Sequence, residues 1–130
     1  MTSIIGLAGG PEPGGRTSTA VAGILAGAQK HGADTRLIEL AEVPLPDMVA
    51  AVESADAVVI GSPVYRATYS SLLKGVLEGL ERGKGSDTTA PLRATPAAIV
   101  LTGASAHHFL AVDHLRNVLA GFFAVQVLSP

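Results

Sequence analysis

Residues 57–74 read Ala57-Val58-Val59-Ile60-Gly61-Ser62-Pro63-Val64-Tyr65-Arg66-Ala67-Thr68-Tyr69-Ser70-Ser71-Leu72-Leu73-Lys74. An apolar run with the look of a buried strand stops at Gly61, a turn rich in hydroxyls and tyrosines follows, and an amphipathic helical pattern opens at Ser70. Strand, loop and helix in that order are the repeating unit of an open α/β sheet, and in such sheets ligands bind in the loops at the carboxyl ends of the strands. This junction is therefore the first place to look for a site.

The same unit recurs on either side. Residues 3–8 form an apolar run that ends in Gly9-Gly10-Pro11-Glu12-Pro13-Gly14-Gly15, a segment that continues neither strand nor helix. Residues 16–31 then place Val21, Ile24, Leu25 and Ala28 at helical spacing, with Thr17 or Ser18 available as a cap and Gly32 as the stop. Residues 35–40 read as an edge strand punctuated by Arg36 and Glu39; Pro44 and Pro46 close the next loop, and residues 47–54 allow a short helix. From Ser70 the third helix turns Leu72, Leu73, Val76, Leu77 and Leu80 inward and Lys74, Glu78, Glu81 and Arg82 outward, with Gly83 as its end and a polar loop to residue 93. Residues 96–102 are a fourth strand, a helix carries Ala111, Leu115, Val118 and Leu119, and residues 122–128 are a fifth strand. Alternation of this kind predicts a doubly wound, five-stranded parallel sheet with right-handed crossovers, strand order 2-1-3-4-5.

A chain of 130 residues that is 48% hydrophobic builds one sizeable core, so residues 1–130 are expected to be a single domain. A net charge of −2 offers no basic field for nucleic acid or an acidic membrane surface. The absence of cysteine excludes disulfides, thiolate nucleophiles and Cys-ligated metals, and it suits a reducing cytoplasm. The apolar residues 109–128 are interrupted by Asp113, His114 and Arg116, so they do not read as a membrane span.

Three loops fall at one edge in this topology. Residues 9–19 combine glycines, the guanidinium of Arg16 and the hydroxyls of Thr17, Ser18 and Thr19 at a helix N-terminus, parts that suit a phosphate. Gly/Pro-rich turns and Ser/Thr caps also occur without any ligand, and that reading stays open. Neither a P-loop nor G-x-G-x-x-G occurs. In residues 61–74, Pro63 and Val64 stiffen the backbone and Tyr65 offers an aromatic surface to a flat ring, or packs with Tyr69 at the core edge. Ser70 and Ser71 read as helix caps, and Lys74 as a solvated or paired surface cation. The third loop is Thr102-Gly103-Ala104-Ser105-Ala106-His107-His108. His107, His108 and His114 lack the i, i+4 spacing of a metal site, and no catalytic triad or carboxylate pair is present, so no catalytic and no metal residue is assigned.

The wording G-S-P-V-Y…Y-S…L-L-K, with Arg16-Thr17-Ser18-Thr19 and the region from Thr102 to Arg116, resembles the NADPH-dependent FMN reductases, a flavodoxin-like family, and among them the sulfonate-linked members. The resemblance implies an FMN-binding oxidoreductase that passes hydride from NAD(P)H to the flavin and on to a flavin, quinone, oxygen or partner monooxygenase. The alternative is a flavodoxin-like electron carrier or an inactive binding protein. By the same resemblance Arg16, Ser18 and Thr19 hold the phosphate, with Gly10 where a serine is frequent. Pro63, Val64, Tyr65 and Thr68 line the ring and ribityl side, and Thr102, Gly103, Ala104 and Ser105 lie along the pyrimidine edge. Ala104 stands in place of a glycine, which requires a backbone there that is not left-handed. Family members continue past the fifth strand into a further helix, which this chain, ending at Pro130, lacks. The resemblance therefore implies a face covered by another subunit or chain, or a fragment, with a homo-oligomeric dimer or tetramer preferred. A shorter segment after Asp113 is similar to members that keep FMN as a prosthetic group.

Overall fold

The structure is a computed structural model that describes residues 1–80, 92 and 94–129. The expected helix stop at Gly83, the exposure of Glu81 and Arg82, and most of the polar loop lie outside the described residues; Leu92 is buried.

The elements in chain order are β1 (Ser3–Ala8), α1 (Arg16–Lys30), β2 (Asp34–Glu39), α2 (Leu45–Glu53), β3 (Ala57–Tyr65), β4 (Thr68–Tyr69), α3 (Ser71–Gly79), β5 (Pro96–Thr102), α4 (Ala111–Arg116) and β6 (Gln126–Val127). The sheet runs β2-β1-β3-β5-β6, all parallel, with Ile5 beside Arg36 and Val58, and Ile60 beside Ile99. This is the expected order with one insertion: β4 turns back antiparallel on the end of β3. β2 is the edge and β3 is central, as its uninterrupted apolar run requires.

Four boundaries differ from expectation. β3 continues through Pro63 to Tyr65, because Val64 and Tyr65 pair with Tyr69 and Thr68 in a hairpin. α1 has Gly15 at its N-cap and no side-chain cap; Thr17 and Ser18 lie inside the first turn and are buried, so neither caps it. α2 begins at Leu45, with Pro46 in its first turn, where a missing N–H costs nothing. The fifth strand of the sequence shrinks to Gln126–Val127, since Asn117–Phe122 continue the preceding helix as a wider turn and Phe123 N donates to Val118 O.

The two faces of the sheet are covered unequally. α2, α3 and α4 bury Met48, Val52, Leu73, Val76 and Leu115 against Ile5, Leu7, Val58 and Ile60. On the other face α1 presses Val21 and Leu25 onto Ala8 and Val59, leaving Ile4, Ala98 and Val100 half-buried. Gly6 and Gly61 make that approach possible: a Cβ at either would come closer than 3.0 Å to Val21. α1 is thereby seated with its N-terminus over the carboxyl ends of β1 and β3. No described helix is long and apolar enough to cross a membrane.

Candidate functional site

The carboxyl ends of β1, β3 and β5 open into a cleft of about 480 Å3, lined among others by Gly10, Arg16, Pro63, Val64, Tyr65, Thr102, Gly103 and Ala104. That volume is in the range of small-molecule and cofactor sites, about 300–1,000 Å3.

One wall is the start of α1. The backbone amides of Arg16, Thr17 and Ser18 find no acceptor among the described residues; the first helical amide that does is Thr19 N, to Gly15 O at 3.0 Å. Unpaired amides, the positive end of the helix dipole and an exposed guanidinium together form a receptor for an anion. Ser18 Oγ is buried and has no hydrogen-bond partner among the described residues, a costly state for a hydroxyl. The opposite wall is Pro63, Val64 and half-exposed Tyr65, carried on the β3–β4 hairpin. Arg66 and Ala67, the two turn residues of that hairpin, have φ of 53° and 68°, the mirror-image geometry that matches strand twist.

Long-range hydrogen bonds clamp the three loops together. Gly9 N donates to Gly61 O at 2.8 Å. Ser70 Oγ, fully inside, donates to Gly9 O at 2.7 Å and accepts from Leu73 N at 3.1 Å, so it caps α3 and fastens the glycine loop. Ser62 Oγ accepts from Ser70 N and donates to Pro63 O, both at 2.8 Å. Thr17 Oγ1 and Thr102 Oγ1 share a hydrogen bond of 2.9 Å across the cleft floor. From behind, Glu39 Oε1 accepts from Gly14 N at 3.3 Å.

Of the residues expected at the site, the structure brings Gly10, Arg16, Pro63, Val64, Tyr65, Thr102, Gly103 and Ala104 to the cleft. Ala104 is not left-handed, as its replacement of glycine requires. Ser18, Thr19, Thr68 and Ser105 do not line it. Thr19 Oγ1 donates to Gly15 O, Thr68 Oγ1 shares a 3.1 Å hydrogen bond with His114 Nδ1, and Ser105 Oγ accepts from His107 N. Ser71 is the first helical residue rather than a cap, and Lys74 pairs with Glu78 at 4.0 Å. Pro11, Glu12, Gly15 and Thr17, all within the expected loop of residues 9–19, also line the cleft, and Ser62 and Glu39 act as supports. The supporting roles of Ser62 and Glu39 depend on contacts 8 and 25 residues away, to Ser70 and Gly14, and residue type alone carries no sign of them.

An open parallel sheet of this order, with an anion-receiving helix terminus and an apolar wall at its carboxyl edge, defines a flavodoxin-like α/β protein. The chain belongs to the NADPH-dependent FMN reductase family, whose model matches residues 2–130. It is 28% identical over 141 residues to the NADH-dependent FMN reductase SfnF of Pseudomonas fluorescens, covering 96% of this chain and 72% of that protein. Similarity to SfnF of Pseudomonas putida reaches 36% over 78 residues, 60% of this chain and 38% of that one. FMN reductase (NADPH) of Pseudomonas aeruginosa is 28% identical over 98% of this chain and 75% of its own length. Among solved structures, apo NADH:FMN oxidoreductase EMOB superposes with a TM-score of 0.87 at 26% identity, covering 100% of this chain and 73% of that one. An oxidoreductase of Corynebacterium diphtheriae shares the fold, with a TM-score of 0.82 at 22% identity, covering 98% of this chain and 78% of that one.

Proposed function

We infer that this chain is an NAD(P)H-dependent FMN reductase and that the cleft is its flavin site. The observation that carries the reading is the uncapped start of α1: three amides without acceptors beside Arg16 and the orphaned hydroxyl of Ser18. FMN fits that donor set, and when bound it supplies the hydride-accepting ring, so the protein needs no strong base or nucleophile of its own. Arg16 and the amides of residues 16–18 neutralise the phosphate without reorganising. Thr102 and Gly103 present a hydroxyl and an amide to the ring's polar edge, while Pro63, Val64 and Tyr65 keep water from one face. Holding ring and nicotinamide in reacting geometry is the main contribution left to the chain.

The acceptor beyond the flavin is a small molecule, whether flavin, quinone or oxygen, or a partner monooxygenase. We further propose that the chain acts as one domain in the cytoplasm and self-associates, as exposed Phe109 and Leu110 and the thinly covered α1 face suggest. Sedimentation should show a dimer or larger species; a strict monomer would rule self-association out.

Anaerobic mixing of the flavin-loaded protein with NADH or NADPH tests the activity: bleaching of the flavin absorbance is expected within the mixing experiment. Flavin that binds and stays oxidised for minutes would make the protein a carrier instead. Arg16→Ala should weaken FMN by about tenfold or more, a charge-assisted contact being worth roughly 1.5–3 kcal/mol, and riboflavin hardly at all. Equal losses for both flavins would remove Arg16 from the phosphate.

A further inference from the structure

Two residues of opposite charge line the cleft beside the start of α1. Among its described lining residues Arg16 is the cation and Glu12 the anion. Both side chains are exposed, and among the described residues neither forms an ion pair. The backbone of Glu12 is held by the turn that leads into α1: its carbonyl accepts from N of the N-cap residue Gly15 at 3.3 Å, four positions before the helix opens at Arg16. A second carboxyl, that of Glu39, supports the same loop at Gly14, and its Oε2 is buried without a partner among the described residues. The loop therefore holds two acidic side chains for one guanidinium.

A carboxylate at a helix N-terminus is drawn to the same positive field that a phosphate seeks. The two then repel each other, because a phosphate monoester carries about −1.5 to −2 at neutral pH. Riboflavin has the same ring and ribityl chain as FMN and lacks that charge. A lining anion thus works against FMN and leaves riboflavin untouched.

We propose that Glu12 is a specificity-determining residue of the flavin site: it offsets Arg16 and narrows the preference of the cleft for FMN over riboflavin. The proposal rests on the cleft being the flavin site, and its direction opposes a tightly retained prosthetic FMN. Glu12 acts on binding and touches no reacting atom.

Flavin fluorescence quenching with FMN and with riboflavin, on the native chain, Glu12→Gln and Glu12→Lys, tests it. Glu12→Gln should lower the Kd for FMN about three- to ten-fold, as expected for removing one exposed charge beside a doubly charged group, and leave riboflavin within about twofold. Glu12→Lys should extend the gain, and raising the salt to about 0.5 M should shrink it, because exposed charges are screened within a few ångströms there. Thermal melts of the variants verify folding, which an exposed side chain leaves intact. If flavins bind but the FMN-to-riboflavin ratio is the same in all three proteins, or both affinities move together, Glu12 has no such role and the flavin site stands. If neither flavin binds any of the three proteins, the flavin site and the role of Glu12 fall together.

Discussion

Gly10 lines the cleft without a side chain, and the space beside it is open to one. A Cβ there would sit 3.7 Å from Thr17 Cβ, 3.8 Å from Thr17 Oγ1 and 3.9 Å from Glu12 O, all ordinary contacts. Its φ also lies outside the left-handed range, so an L-residue is accommodated. Gly10→Ser should therefore fold normally and supply one more donor to the phosphate, tightening FMN by about tenfold at most, given the roughly 1.5–3 kcal/mol of a charged hydrogen bond less the cost of ordering the hydroxyl. Parallel titrations with FMN and riboflavin check it, and a gain shared by both flavins would place the new hydroxyl away from the phosphate. Residues differ in how far their own chemistry announces their role. Arg16, Pro63, Tyr65, Thr102 and Gly103 were legible as cleft residues from their loops' place at the carboxyl edge together with the family resemblance, since each residue type taken alone also has ligand-free uses at such junctions. Glu39 and Ser62 were not, since an acid on an edge strand and a serine at a strand end read as solvated or as caps until the fold supplies Gly14 N and Ser70 N as their partners, and Glu12 stands out only because the cleft forms around it.

At the level of elements, the hairpin that carries Tyr65 shows what pattern reading misses. The sequence Tyr65-Arg66-Ala67-Thr68 contains no Asn or Gly, the residues that normally supply positive φ at both turn positions, so nothing announced β4. A left-handed Ala costs about 1–2 kcal/mol, whereas glycine returns roughly 0.5–1 kcal/mol of that as added freedom of the unfolded chain. Ala67→Gly is expected to raise stability by about 0.5–1 kcal/mol, read as a higher urea midpoint at an unchanged slope. A lower midpoint would mean that the turn stores no strain. Strand order and the central place of β3 were legible because apolar runs and alternation survive any local detail. The cap of α1 was not: Thr17 and Ser18 are good capping residues, yet the chain buries them inside the first turn and leaves the terminus to Gly15. The misreading points to function, because a helix that declines its available caps keeps its amides for something else.

In the whole molecule, the cleft is not an appendage to a finished core. Its walls come from the loop after β1, the start of α1, and the ends of β3 and β5, and the bonds that join them, Gly9 to Gly61, Ser70 to Gly9 and Thr17 to Thr102, span 52, 61 and 85 residues. A ligand that bridges α1 and the end of β5 therefore reinforces contacts that close the sheet, and none of these survives in the unfolded chain. Binding to the native state alone stabilises by about 2.7 kcal/mol at a ligand concentration of 100 times Kd. For a chain between the usual small and medium sizes, each kcal/mol moves the thermal midpoint by about 3–6 °C. Saturating FMN should thus raise the midpoint by roughly 8–15 °C, with a single cooperative transition retained. Arg16→Ala should lose about half of that rise or more at the same FMN concentration while its flavin-free midpoint stays close to the native one, since the Arg16 side chain is exposed. A midpoint indifferent to FMN would contradict a native-state flavin site. A second, earlier transition would show that the loops unfold apart from the sheet and that the long-range bonds do not couple them.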